Sequence, residues 1–248
     1  MKTIQVISSI LKIIDPVLNR RNNETTDFPV EFTFTQILER IKFNLESMKV
    51  LVENGIAKHD HAIGLISRNL LTDFITTGYI IKLSASDEEI YVKLYALHNS
   101  DLKKIDSYLN LAKSAGFSDD TELDAFKMKY SDENHIYKTI RDYCIEFEVK
   151  NFPSMISIIE LFIIADLKDR WADEIKRSYD IWIFYSKYEH LGWNSYDLTR
   201  NTSTVKADER LRNVLFKTSI LLGSSLEILK EEKGLTDSIE LLGQIYSA

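Results

Sequence analysis

Cysteine occurs once in the 248 residues, proline three times and glycine eight times. The single cysteine, Cys144, excludes an intrachain disulfide framework and any cysteine-rich metal site. It fits a reducing compartment. So few turn-forming residues exclude a fold built from many tight hairpins, which leaves long helices. Positive charge is also in short supply: the net charge is −7 and the isoelectric point near 5.4. That balance argues against broad nucleic-acid binding, which needs a positive surface to displace counterions. No block of five or more like charges marks an acidic or basic tail.

Long apolar runs are missing too. The most apolar stretch, MISIIELFIIADL at 155 to 167, is too short for a membrane span and carries Glu160 and Asp166. The first residues, MKTIQVISSILKIID, are interrupted by Gln5, Ser8, Ser9 and Lys12. They read as an amphipathic helix rather than a signal peptide. The expectation is a soluble, cytoplasmic protein.

What the chain does have is apolar content of 44% with 28% charged residues, enough to offset the entropy of ordering a folded core. Nearly every segment repeats with helical period. Ile4, Ile7, Ile10, Leu11 and Ile14 form one stripe over 3 to 14, after which Pro16 interrupts or restarts the helix. NNETTDFPVEF at 22 to 32 is the first loop, and Thr33 with Gln36 forms a capping-box pattern for a second helix stopping at Gly55. A third helix is predicted over 58 to 83, and Ser86 with Glu89 opens a fourth, running to Gly116. Helices near 119 to 129 and 132 to 149 follow, the second opened by Ser131 or Asp132. Pro153 falls in the first turn of a buried helix over 153 to 165. A long helix over 167 to 191 precedes a polar break at 192 to 205. Gly234 then divides a helix over 206 to 233 from one over 236 to 247. With no internal repeat and no low-complexity linker, the reading is one all-α domain, residues 1 to 248, of eight or nine helices.

The stretch SKYEHLGW, 186 to 193, holds the main candidate site. Tyr179, Trp182 or Ile183, Ser186 and His190 share a helical face, with Trp193 and Tyr196 just beyond. Aromatic faces with short polar groups can line a pocket between helices. The ordinary alternative has Ser186 bonding back to a carbonyl one turn earlier and His190 finishing the helix near its negative end. Ser186 is not expected to be a nucleophile, because no nucleophile elbow is present and a triad needs an orienting third group. HDH at 59 to 61 places two rings about 200° apart on a helix, which suits solvated residues at a helix start better than a metal site. No metal or cofactor is expected. Arg68, in SRNLLTDF, stands among apolar positions with Asp73 five residues on. It reads either as half of a structural ion pair or as an anion-binding arginine.

Arg68 and Asp73 in RNLLTD, with Tyr185, Ser186 and His190 in YSKYEH, resemble a family of uncharacterised bacterial helical proteins. Its members carry an arginine followed by an acid on an early helix and Tyr-Ser-x-x-x-His on a later one. The resemblance spans roughly residues 55 to 195 and implies an all-helical fold, with Asp at a position where Glu is commoner. The all-helical HEPN ribonucleases offer a similarity of class only. Their arginine, four to six residues before a histidine, has no counterpart here, and the nearest spacing is Lys129 to His135. The functional expectation is a small-anion or protein-binding domain with a pocket around Arg68, Ser186 and His190. The alternative is an RNA-cleaving or nucleotide-processing effector in which His190 acts as base and Arg68 steadies phosphate. A homodimer through helices near either terminus completes the expectations.

Overall fold

The computed structural model describes residues 1–21, 27–116, 135–187 and 203–246. Among them are nine α-helices and no strand, as the all-α reading requires. They are α1 (Thr3–Arg21), α2 (Val30–Glu53), α3 (Asp60–Lys82), α4 (Asp87–Ser114), α5 (His135–Glu146), α6 (Met155–Ala165), α7 (Arg170–Ser186), α8 (Thr204–Ile228) and α9 (Glu232–Tyr246). No helix among the described residues is long and apolar enough to cross a membrane.

The helices gather into two compact units, Met1–Leu83 with Met155–Ala248, and Ser84–Ser154. In the first, α8 is the central element and packs on α1, α2, α3 and α9. Its sequence reads only half apolar, yet Lys217 through Leu226 is buried at every position but Ile220. The hydroxyls make this possible. Thr218, Ser219, Ser224 and Ser225 each donate to the carbonyl four residues earlier, at 2.8 to 3.0 Å. Each side chain thereby satisfies itself within its own helix and presents apolar atoms to its neighbours. The second unit pairs α4 with α5, where Tyr95 stacks on Tyr143 and Phe147 lies tilted against Tyr143.

Helix ends follow local chemistry. Ser86, Asp169 and Ser203 each accept from the backbone N–H three residues on, capping α4, α7 and α8. The serine half of the Ser86 box predicted from sequence is present, while Glu89 accepts from the Ala85 N–H, one residue before the cap, at 2.8 Å. Gly55, directly after the Asn54 cap of α2, has φ +114°, a backbone region that favours glycine.

Other boundaries differ from the sequence reading. Pro16 lies inside α1, which continues to Arg21 because Val17 and Leu18 extend the buried stripe. α2 begins at Val30, and Thr33 donates to the Pro29 carbonyl instead of forming the expected box. Gly234 does not break a helix. The break comes earlier, at Lys230 (φ +57°), where the Glu231 N–H bonds to the Leu226 carbonyl and the Lys230 N–H to Glu227. This paired closure is a Schellman end. The Arg21 guanidinium, 8% exposed, takes the Leu229 carbonyl at 2.7 Å and the Glu231 carboxylate at 3.1 Å, completing it. Gly234 is buried inside α9, where a Cβ would meet the Leu226 side chain at 3.3 Å. The predicted helix at 119 to 129, its neighbour's cap at Ser131 or Asp132, and Trp193 and Tyr196 lie outside the described residues.

Candidate functional site

α7 carries most of the groups that sequence reasoning singled out. It reaches α3 closely because residue 78 is glycine: a Cβ there would stand 2.2 Å from Ile175 Cδ1. On this side Arg68 lies with its guanidinium 4.5 Å from the centre of the Trp182 ring. The Trp182 indole N–H donates to Thr72 Oγ1 at 2.9 Å, and the Thr72 hydroxyl donates to the Arg68 carbonyl. The arginine, its own turn and the tryptophan are thus tied into one cation–π arrangement. Burial lowers the Arg68 pKa from its ordinary value.

Asp73 points to a different partner. Its carboxylate accepts from Arg40 Nε of α2 at 3.0 Å. Burial pushes its pKa up, against the opposing pull of Arg40. Five residues separate it from Arg68, which sets the two about 140° apart around a helix.

Tyr185 is 1% exposed. Its phenol lies beside Ser67 and Arg210, and burial, with the nearby Asp60 charge, pushes its pKa up to about 12 against the pull of Arg210. Arg210 in turn donates to both carboxylate oxygens of Asp60 at 2.9 Å and lies 5.0 Å from the Phe184 ring centre. Asp60 is the middle residue of HDH, and it is buried where solvation was expected. Its place in the first turn of α3 favours a carboxylate, and Arg210 supplies the counter-charge. Ser186 donates to the Ile183 carbonyl at 2.6 Å, the back-bonding that was the ordinary alternative for it. His190 lies outside the described residues. The structure therefore joins Tyr185 to an Asp60–Arg210 pair, joins Arg68 to Trp182, and sends Asp73 elsewhere.

Sequence reasoning missed the opposite side of α7 altogether. There a groove of about 840 Å³ runs between α7, α8 and the end of α9. Lys217, 2% exposed, forms its base. The Lys217 ammonium donates to Glu174 at 3.1 Å and also bonds Asn213. Arg177 stands 3.8 Å from the other oxygen of the same Glu174 carboxylate. Arg170 is held by aromatic faces instead, 4.3 Å from the Tyr246 ring centre and 5.9 Å from that of Phe216. Arg170, Glu174 and Arg177 recur at i, i+4 and i+7 and so share one face of α7. Burial lowers the Lys217 pKa, and Glu174 pulls it back up. One signal was available: a lysine set in VLFKTSILL must find a partner or a ligand.

Arg212 and Asp180 also face the groove, and Arg212 is paired with Asp208 at 2.7 Å. No cluster of three or more metal-ligating side chains occurs among the described residues. The chain matches no family model, no curated protein and no solved structure.

Proposed function

We propose that this protein is a helical binding domain for a small anionic ligand, and that the groove between α7, α8 and α9 receives it. One observation carries the reading: Arg170, Arg177, Arg212 and Lys217 line the groove against Asp173, Glu174 and Asp180, an excess of one cation, and Glu174 is shared by Arg177 and Lys217. Two cations share a single carboxylate while Arg170 rests on aromatic rings, so a bound anion would complete a charge balance that the protein leaves open. Groups placed this way need no rearrangement to bind, since Lys217 is fixed by two hydrogen bonds and Arg170 by two rings. The volume lies in the range of small-molecule sites.

The pocket first expected around Arg68, Ser186 and His190 is the competing location within the same reading, favoured by the Arg68–Trp182 stack. Titration calorimetry with inorganic phosphate separates them. Binding to the wild type that Arg177→Ala abolishes, and Arg68→Ala leaves intact, supports the groove. The reverse pattern transfers the site to Arg68. Absence of binding to the wild type at millimolar phosphate ends the anion reading. A cytoplasmic home and a homodimeric state belong to the same proposal, the first supported by the lone Cys144. Light scattering that returns a monomer at high concentration removes the second.

A further inference from the structure

Lysine differs from arginine in giving up its proton readily when it is buried. Lys217 is 2% exposed, on a stretch of α8 where Val214, Leu215, Thr218 and Leu221 are buried as well, yet it lines the groove. Its Nζ donates to Glu174 of α7 at 3.1 Å and bonds Asn213 one turn back on α8. Glu174 has a second cation in Arg177, 3.8 Å from its other oxygen, so the lysine is not the sole counter-charge of this carboxylate. Burial lowers the Lys217 pKa, and the nearby Arg177 charge adds to the fall, against the pull of Glu174. Every such fall enlarges the neutral fraction of an amine at pH 7. Arg170, Asp173, Asp180 and Arg212 complete the charged lining of the groove, in which acids and bases alternate. A desolvated amine beside a second cation, with a carboxylate to take its proton, is the arrangement that makes a lysine a nucleophile.

We infer that Lys217 is a nucleophilic amine which captures a small aldehyde in the groove as a protonated imine, with Glu174 carrying the proton between the steps. The inference goes beyond the anion-binding reading and does not depend on it. Lys217 passes one ammonium proton to Glu174, and its lone pair forms the N–C bond to the carbonyl carbon as the C=O π bond opens. A proton then moves from that nitrogen to the oxygen, giving a carbinolamine. Glu174 returns its proton to the hydroxyl, the C–O bond breaks and water leaves, while the nitrogen lone pair closes the C=N bond. Ammonium and aldehyde thus become iminium and water, with nothing oxidised or reduced. The iminium keeps one N–H for the carboxylate that held the ammonium, so the ion pair is the same before and after. The low exposure of Lys217 limits the partner to a small carbonyl compound.

The test treats the full chain at pH 7, without phosphate, with acetaldehyde and sodium cyanoborohydride, which reduces an iminium to a stable ethyl-lysine. Peptide mass mapping then follows ethylation at each lysine. Lys104 and Lys168, with side chains 77% and 81% exposed and each paired with an aspartate, are the internal references. Lys217 is expected to be ethylated at least tenfold faster than either, despite its burial. Arg177→Gln, a change at an exposed side chain, should slow Lys217 at least threefold and leave both references within twofold. The preference for Lys217 should vanish in the urea-unfolded chain. Ethylation of Lys217 no faster than that of the references makes it a structural ion-pair lysine and overturns the inference. A preference that persists in urea belongs to the local sequence and overturns it as well. A Lys217 rate unchanged by Arg177→Gln overturns the part assigned to the second cation.

Discussion

Where α3, α7 and α8 meet, Asp60, Arg210 and Tyr185 close on one another, and the tyrosine and aspartate are almost wholly shielded from water. Across α7, Lys217 is just as buried, yet its partner Glu174 is shared with Arg177 and the space above it is open. Both places bury a charge at a helix interface. In the first, one cation meets one carboxylate through two hydrogen bonds and the phenol fills the remaining space. In the second, charges are left in unequal number beside a groove. A closed network gains nothing from a ligand, whereas an unequal one can be completed by it. The difference is a guide to which buried charges are structural.

The largest effect is expected on the closed side. Asp60→Ala leaves Arg210 without its bidentate carboxylate and should cost about 3 kcal/mol of unfolding free energy in urea. Lys217→Met should cost only about 1 kcal/mol, because Glu174 retains Arg177 and the methionine fills similar volume. Equal losses for the two would dissolve the distinction drawn between the sites. Next in size is Gly78→Val, which forces α3 and α7 apart against the fully buried Ile175 and should cost about 2 kcal/mol. An unchanged midpoint would show that this close approach is not a constraint.

The smallest effect concerns Asp73, an acid with a raised pKa held by the exposed Arg40. Below its ordinary value of 3.8 the carboxyl is protonated folded or unfolded and contributes nothing. As pH rises past that value the unfolded chain ionises first, so stability is lost until the folded group ionises as well. Asp73→Asn removes this loss. The melting-point difference, variant minus wild type, should therefore rise between pH 3 and pH 7. A difference that falls over that interval contradicts the direction of the shift.

The helical class and most helix positions were legible because the apolar stripes at Ile7, Ile10 and Ile14, or at Ile63, Leu70 and Phe74, are long and regular. Caps were legible where the residue alone decides, as at Ser86. The end of α8 was not, because a lysine occupies the left-handed position that glycine usually marks, and Gly234 serves close packing instead. Ser186 was picked out together with its back-bond to its own helix, whereas Arg68 and Tyr185 were picked out without their partners. Those partners, Trp182 and Arg210, come from tertiary contact. Asp60 was misread because a polar triplet at a helix start carries no mark of the arginine 150 residues away. The groove was invisible for the same reason: its charges lie on two helices far apart in sequence, and their sum appears only in space.

The hydroxyls of α8 have one more consequence. Because each of the four returns its proton to its own helix, none is committed to another element by the bonds it donates. Exchange of serine for alanine at 219 or 225 removes donor and acceptor roles that were already closed locally, while the shape offered to α1, α2 and α9 hardly changes. Descendants of this sequence could thus drift between serine and alanine along the centre of the protein while keeping the same packing. The helix would look polar in one lineage and apolar in another, and the fold would record no difference.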